Sequence, residues 1–248
     1  MWNRKELKQK GKLAFKANYW KCVLSAFLLS LMAYVTAFSS YTRNTNNASD
    51  PRKISEALDS FKALIEQNPN MAGTIITIIA AIGGFFIVVR FLLKIFLFNP
   101  LKVGCYQFFR ENIHSSGKAG LDQLKKGFGD YGHTFITLFL RDLFLIFWSF
   151  LFIIPGIVKS YSYRMVPFII KDRPDLSATE VISESRRMMQ GHKWNTFVLD
   201  LSFLGWALLG VLTLGLVSVF WTEPYYRNTH AALYLQLSGQ NTQAESDF

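Results

Sequence analysis

Residues 134–154 read TFITLFLRDLFLIFWSFLFII, and the only charged side chains in this run are Arg141 and Asp142. An α-helix of about 20 apolar residues is long enough to cross the roughly 30 Å hydrocarbon core of a bilayer. A soluble protein would have to bury all of this apolar surface in its interior. The run therefore predicts a membrane-spanning helix.

A second apolar run, 157–170, follows after Pro155-Gly156, so the two runs predict a helical hairpin. The second run has only 14 residues and contains Lys159, Arg164 and Pro167. A segment this short and polar is compatible with a crossing helix, and also with a re-entrant or surface helix. The sequence leaves both interpretations of 157–170 open.

The hairpin pattern recurs along the chain. A shift of 58 residues superimposes one set of residues on another: Phe139, Asp142, Leu143 and Trp148 on Phe197, Asp200, Leu201 and Trp206. The later copy comprises 194–212 and a return through 216–237, and an earlier, less similar copy comprises 22–38 and 71–98. Internal repeats of this kind indicate a repeated structural unit. We predict an all-α, multi-pass membrane bundle of about six segments in three hairpins.

Each hairpin is preceded by a stretch that is basic or amphipathic, which predicts an interfacial helix before each unit. In residues 3–16, Asn3 is placed to cap a helix whose Leu7, Ala14 and Phe15 share one face. The predicted organisation is one membrane domain over 1–248. Its parts are a first unit 1–113 with an outer insertion 39–70, a second unit 114–172, a third unit 173–237 and a polar tail 238–248.

The charge distribution predicts the orientation of the chain. The 248 residues hold 27 Lys and Arg against 17 Asp and Glu, a formal net charge of +10. Seven of the basic residues lie in 1–21, directly before an apolar run, as expected of a cytoplasmic flank facing acidic lipid headgroups. We therefore expect a plasma-membrane location with both termini cytoplasmic. The expected partners are acidic lipids, with other membrane proteins as further candidates. Nucleic acid is not expected, because the basic residues flank apolar runs.

Several segments resemble one family of bacterial integral membrane proteins, domain of unknown function 975. The resembling stretches are RKELK (4–8), NYW (18–20), NPL (99–101), PGIVKSYSY (155–163), DRPDLSA (172–178), GHKW (191–194) and LDLSFLGW (199–206). The resemblance covers nearly the whole chain apart from 39–70 and the tail. It implies a multi-pass bacterial membrane protein without an established activity, so it supplies no catalytic residues.

The candidate functional residues are charges that the predicted topology places at membrane depth, where isolated charges are costly and must pair or contact water. Asp142, Asp200 and Glu223 are expected to pair with cations on returning helices, around a polar cavity open to the cytoplasm. The expected cations are Lys159, Arg164 and Arg227. A simpler interpretation is that these pairs only fix helix packing, and we favour it.

No catalytic, cofactor-binding or metal-ligating residue is predicted. Gly127-Phe128-Gly129-Asp130-Tyr131-Gly132 has the glycine spacing of dinucleotide-binding loops, but it lacks the preceding strand, so we interpret it as a flexible hinge. The four histidines are scattered singly. We expect a non-enzymatic membrane scaffold or accessory protein. A small transporter or channel is the alternative, and an enzyme acting on lipids is the weakest interpretation.

Overall fold

A computed structural model describes residues 2–41 and 69–240, together with Ser55, Asp59, Ser60 and Ala63. All regular structure in these residues is helical, as the sequence predicts. The chain forms two compact units, Met1–Leu31 with Phe98–Phe248 as one and Met32–Leu97 as the other. Residues of the predicted first unit, 1–113, belong to both compact units.

Twelve α-helices are described in residues 2–41 and 69–240. They are α1 Arg4–Ala17, α2 Tyr19–Tyr41, α3 Pro69–Leu93, α4 Asn99–His114, α5 Gln123–Lys126, α6 Tyr131–Leu151, α7 Ile153–Ser162, α8 Val166–Asp172, α9 Ala178–Met188, α10 Lys193–Leu201, α11 Leu204–Leu212 and α12 Glu223–Leu237. Two π-helical segments, Lys94–Phe98 and Ser218–Thr222, precede α4 and α12.

Within the part of the chain that the structure describes, three apolar helical stretches are long enough to cross a membrane: Gly73–Arg90, Tyr131–Leu151 and Lys193–Leu212. The tips of the last two hairpins carry large, exposed apolar side chains. Phe150 is 93% exposed and Leu214 is 97% exposed. Exposed apolar surface on this scale marks a face that contacts lipid or another protein. The described residues are therefore all-helical with three candidate membrane-spanning helices, while the six-segment arrangement remains a prediction.

The two later return segments do not form long apolar helices. The segment 157–170 is divided between α7, of 10 residues, and α8, of 7 residues. In the last return segment, α12 is buried along most of its length, from Pro224 to Leu235. Its immediate surroundings are other helices of the same compact unit, principally α1 and α4.

Helix α1 forms as the sequence predicts but is placed differently. Asn3 caps it, because the side-chain oxygen accepts a hydrogen bond from the Lys5 backbone N–H at 3.0 Å. Its apolar face is buried, with Phe15 fully inaccessible. Gly11 lies so close to α12 that a Cβ atom would stand 2.6 Å from Thr229 Oγ1. The face expected to meet the membrane surface packs instead against α12.

Three prolines stand alike at the start of a helix. Pro100, Pro167 and Pro224 each occupy the first turn of α4, α8 or α12, where the missing N–H is tolerated. Proline within a continuous helix clashes with the carbonyl four residues earlier. π-helical segments directly precede the helices that contain Pro100 and Pro224.

The structure bears only partly on two predicted features, the polar segments and the glycine-rich stretch. Most of the insertion 39–70 and residues 241–248 of the tail lie outside the described residues. The glycine-rich stretch before α6 begins with a packing position: a Cβ at Gly127 would stand 1.9 Å from the Pro100 carbonyl oxygen. Gly127 thus permits close approach to α4, a role the hinge interpretation did not include.

Candidate functional site

Asp200, near the end of α10, forms hydrogen bonds with four side chains. Its Oδ2 accepts hydrogen bonds from Arg164 at 2.6 Å and from the Tyr161 hydroxyl at 2.9 Å. Its Oδ1 accepts from the Tyr226 hydroxyl at 3.2 Å and lies 2.9 Å from His230 Nε2. With the carboxylate ionised, His230 Nε2 is the donor, because an ionised carboxylate only accepts. Both oxygens are thus occupied.

Helical spacing brings these partners together. Tyr161 and Arg164 are three residues apart at the end of α7 and just after it, and Tyr226 and His230 are four residues apart on α12. Residues at these spacings share one face of a helix. Asp200 therefore joins the return segment of the second hairpin to the return segment of the third.

Arg227 forms the adjoining part of the site. It pairs with Glu223 at 3.2 Å on the same helix and donates to the Tyr106 hydroxyl at 3.0 Å. Tyr106 lies on α4 and packs edge-on against Phe168 of α8, with ring centroids 4.9 Å apart. The cluster thus connects α4, α8 and α12.

A small cavity of about 110 Å³ lies within this cluster. It is lined by Tyr106, Phe109, Arg164, Phe168, Tyr226, Arg227 and His230. Each of its two arginines is paired with an acid, Arg164 with Asp200 and Arg227 with Glu223. Burial raises the pKa of Tyr106, but the nearby positive charges, Arg227 foremost, outweigh burial and lower it overall. The pKa of Lys102 is lowered by burial and by Arg141.

Asp142, the repeat equivalent of Asp200, has different surroundings. It pairs with its neighbour Arg141 at 2.5 Å, and the Asp142 side chain is 35% exposed against 18% for Asp200. The expected pairing with a cation on a returning helix is thus present for Asp200 with Arg164. For Asp142 the cation comes from the same helix, because Arg141 precedes it directly. Glu223 also pairs within its own helix.

Lys159 does not join the cluster. Its ammonium group lies 4.4 Å from the centre of the Trp148 ring, in a cation–π contact, and it forms no ion pair in the described part of the chain. The structure brings together four of the six predicted residues, namely Arg164, Asp200, Glu223 and Arg227, and places Asp142 and Lys159 elsewhere.

Sequence reasoning missed the aromatic and histidine members of the cluster. His230 was expected to be one of four isolated histidines, yet its side chain is only 6% exposed and contacts Asp200. A signal was present in the spacing of Glu223, Tyr226, Arg227 and His230, which repeats at three and four residues along one helix face. Tyr106 had no such signal, because its partners lie more than 50 residues away.

A second buried network consists of amides. Asn112 on α4 is fully buried, and its Nδ2 donates to Asn228 Oδ1 at 2.9 Å and to the Ala14 carbonyl at 3.1 Å. Its Oδ1 accepts from Asn18 at 2.8 Å. This network holds α1, α4 and α12 together. Buried amides are costly unless bonded, so their mutual satisfaction fixes one packing arrangement.

No group of three or more histidine, cysteine or acidic side chains with metal-binding geometry occurs in residues 2–41 and 69–240. No curated protein and no solved structure matches the chain. Residues 153–241, which contain Asp200 and four of its cluster partners, match the model of a family described as "Protein of unknown function (DUF975)". The resemblance inferred from the sequence is thereby confirmed over residues 153–241.

Proposed function

We propose that this protein is a non-enzymatic scaffold or accessory subunit of the bacterial cytoplasmic membrane. In this proposal it crosses the bilayer as three hairpins with both termini cytoplasmic. Its apolar hairpin tips lie in lipid, and its basic helices lie at the cytoplasmic surface, where they meet acidic headgroups and other membrane proteins.

The observation that carries the scaffold role is the complete internal use of the Asp200 carboxylate. Arg164, Tyr161, Tyr226 and His230 occupy both of its oxygens. Glu223 is likewise engaged by Arg227. A carboxylate that binds a ligand or takes part in catalysis needs an oxygen that can accept a hydrogen bond from that ligand. A carboxylate whose oxygens both bond to two return segments instead fixes how those segments pack.

The membrane location is supported by the apolar surface. Exposed apolar side chains surround the tips of both later hairpins, and three apolar helical stretches have the length of membrane spans. Water-soluble helices expose a polar face instead. Extraction of isolated membranes with alkaline carbonate tests this part: an integral protein stays in the pellet, and recovery in the supernatant would refute membrane integration.

A cysteine scan tests the scaffold role. Single cysteines are placed along 157–170 and 216–236 and exposed in native membranes to a membrane-impermeant maleimide. A scaffold is expected to show labelling only at the cytoplasmic ends. The unsubstituted chain is the control, since Cys22 and Cys105 are both buried.

A small transporter is the second candidate, and the cavity between Arg164 and Arg227 is the observation that favours it. Transporters place their substrate sites beside interrupted helices near the middle of the membrane. The same scan discriminates between the two functions. Labelling that recurs every three or four residues along either return segment indicates a water-filled path, and that result would refute the scaffold proposal.

A further inference from the structure

A second, larger pocket lies outside the Asp200 cluster, between α7, α9 and the start of α10. Its volume is about 390 Å³. Its lining includes four cationic side chains, Lys159, Arg186, Arg187 and Lys193, and the polar Ser183 and Gln190. Pockets for neutral organic ligands are mostly apolar, so this lining indicates a charged ligand.

The pocket is held in shape by a buried serine. Ser185 on α9 is fully buried, and its hydroxyl donates to the Ser162 carbonyl at 2.8 Å while accepting from the Met165 N–H at 3.2 Å. These bonds satisfy backbone groups at the break between α7 and α8. The adjacent Arg186 and Arg187 are exposed. The two arginines thus stand on a helix that is fixed to the floor of the pocket.

The positive charge of the pocket is only partly neutralised. Arg187 pairs with Glu184 at 2.7 Å. Lys159, Arg186 and Lys193 form no ion pair in the described ranges 2–41 and 69–240. With the serine hydroxyl and the glutamine amide, the pocket offers many donors around an excess of positive charge. Phosphate oxygens suit such a site, because guanidinium groups bind them through two parallel hydrogen bonds.

The aromatic side chains beside the pocket indicate where the phosphate comes from. Trp194 follows Lys193 directly and is 71% exposed, and Trp148 lies under the Lys159 ammonium. Tryptophan is enriched at the headgroup level of membranes. We propose that this pocket binds the phosphate of an acidic phospholipid headgroup. The proposal rests on the membrane location proposed above.

The test is lipid binding to the purified full-length chain in uncharged detergent, followed by native mass spectrometry. Phosphatidylglycerol is titrated against phosphatidylcholine, and inorganic phosphate is added as a competitor. Each basic side chain near an anionic lipid contributes about a factor of five to binding, so the double variant R186Q/K193Q is expected to weaken phosphatidylglycerol binding about 30-fold. The control K125Q/K126Q removes the same charge from exposed positions on α5 and is expected to change it less than about threefold.

A second variant, Ser183→Glu, adds a carboxylate to the pocket and is expected to weaken binding as well. Equal affinity for the two lipids, or equal weakening by R186Q/K193Q and K125Q/K126Q, would overturn the proposal. Unchanged binding in both pocket variants would overturn it too. Displacement of the lipid by inorganic phosphate at equal concentration would identify free phosphate as the ligand and refute the lipid source. Carbonate extraction of the same variants separates failure of the lipid-binding proposal from failure of the proposed membrane location. A protein that stays in the membrane pellet but shows no lipid preference refutes only the lipid-binding proposal.

Discussion

Replacing Asp200 by Asn tests whether the cluster fixes the packing of the return segments. The substitution keeps the shape of the side chain and removes its charge. Arg164 then loses its only ion-pair partner in the described residues while its side chain is 26% exposed. The amide also replaces one acceptor oxygen by a donor, so two of the four donors around Asp200 lose their acceptor.

The magnitude follows from the burial of the pair. Removing one partner of a fully buried pair costs about 3–5 kcal/mol, whereas an exposed pair contributes about 0–1 kcal/mol. The Asp200 side chain is 18% exposed, which places this pair nearer the buried case. We expect Asp200→Asn to lower the free energy of unfolding by about 2–3 kcal/mol. For a chain of this size that corresponds to roughly 5–10 °C in Tm.

The assay is thermal unfolding of the purified chain in detergent, followed by tryptophan fluorescence. Asp175→Asn is the control. Its pair with Arg173 is exposed, with side-chain exposures of 58% for Asp175 and 50% for Arg173, so the expected loss is below about 1 kcal/mol. Equal losses for the two variants, or a change below about 0.5 kcal/mol for Asp200→Asn, would refute the role assigned to the cluster.

Three further changes have expected outcomes. Gly11→Ala places a methyl group 2.6 Å from Thr229 Oγ1 and should lower the free energy of unfolding by about 1–3 kcal/mol, whereas Gly132→Ala, with open space around it, should not. Asn112→Leu removes the hydrogen bonds that Asn112 makes with Asn18, Asn228 and the Ala14 carbonyl and should cost about 2–4 kcal/mol in the same assay. A hydrogen bond from its arginine partner lowers the pKa of Glu184, so Glu184 is ionised at neutral pH. Glu184→Gln should therefore tighten phosphatidylglycerol binding about fivefold in the lipid titration, and weaker binding would contradict the charge argument.

The presence of the helices could be predicted from sequence because its causes are local. Their interruptions were predicted less well: the expected turn Pro155-Gly156 lies inside α7, and the predicted run 194–212 is divided between α10 and α11. The apolar run before Pro155 predicts α6, and the capping pattern of Ser177 with Glu180 predicts the start of α9, where both reciprocal bonds are present. The Asp200–Arg164 pair was also within reach, because a charge in an apolar run requires a partner.

The packing of α1 could not be predicted in the same way. The face that carries Leu7 and Phe15 is apolar, and an apolar face fits either lipid or another helix. What selects between them is Gly11, which allows α12 to approach, and the contact joins residues more than 200 positions apart. The amide network at Asn112 could not be predicted from sequence either. An isolated asparagine in an amphipathic helix gives no sign of burial until its partners are known.

The repeat-related acids Asp142 and Asp200 occupy equivalent sequence positions but pair with cations from different places. Arg141 precedes Asp142, but the equivalent residue before Asp200 is Leu199, which has no charge and is fully buried. Asp200 must therefore draw its cation from another segment, and it does so from Arg164, three residues before Pro167. The same position before Pro100 in the first copy is Leu97. Each acid thus has one cation, supplied locally in the second copy and by the preceding hairpin in the third. The repeat determines where the acids lie, and the exchange of arginine for leucine determines which helices they join.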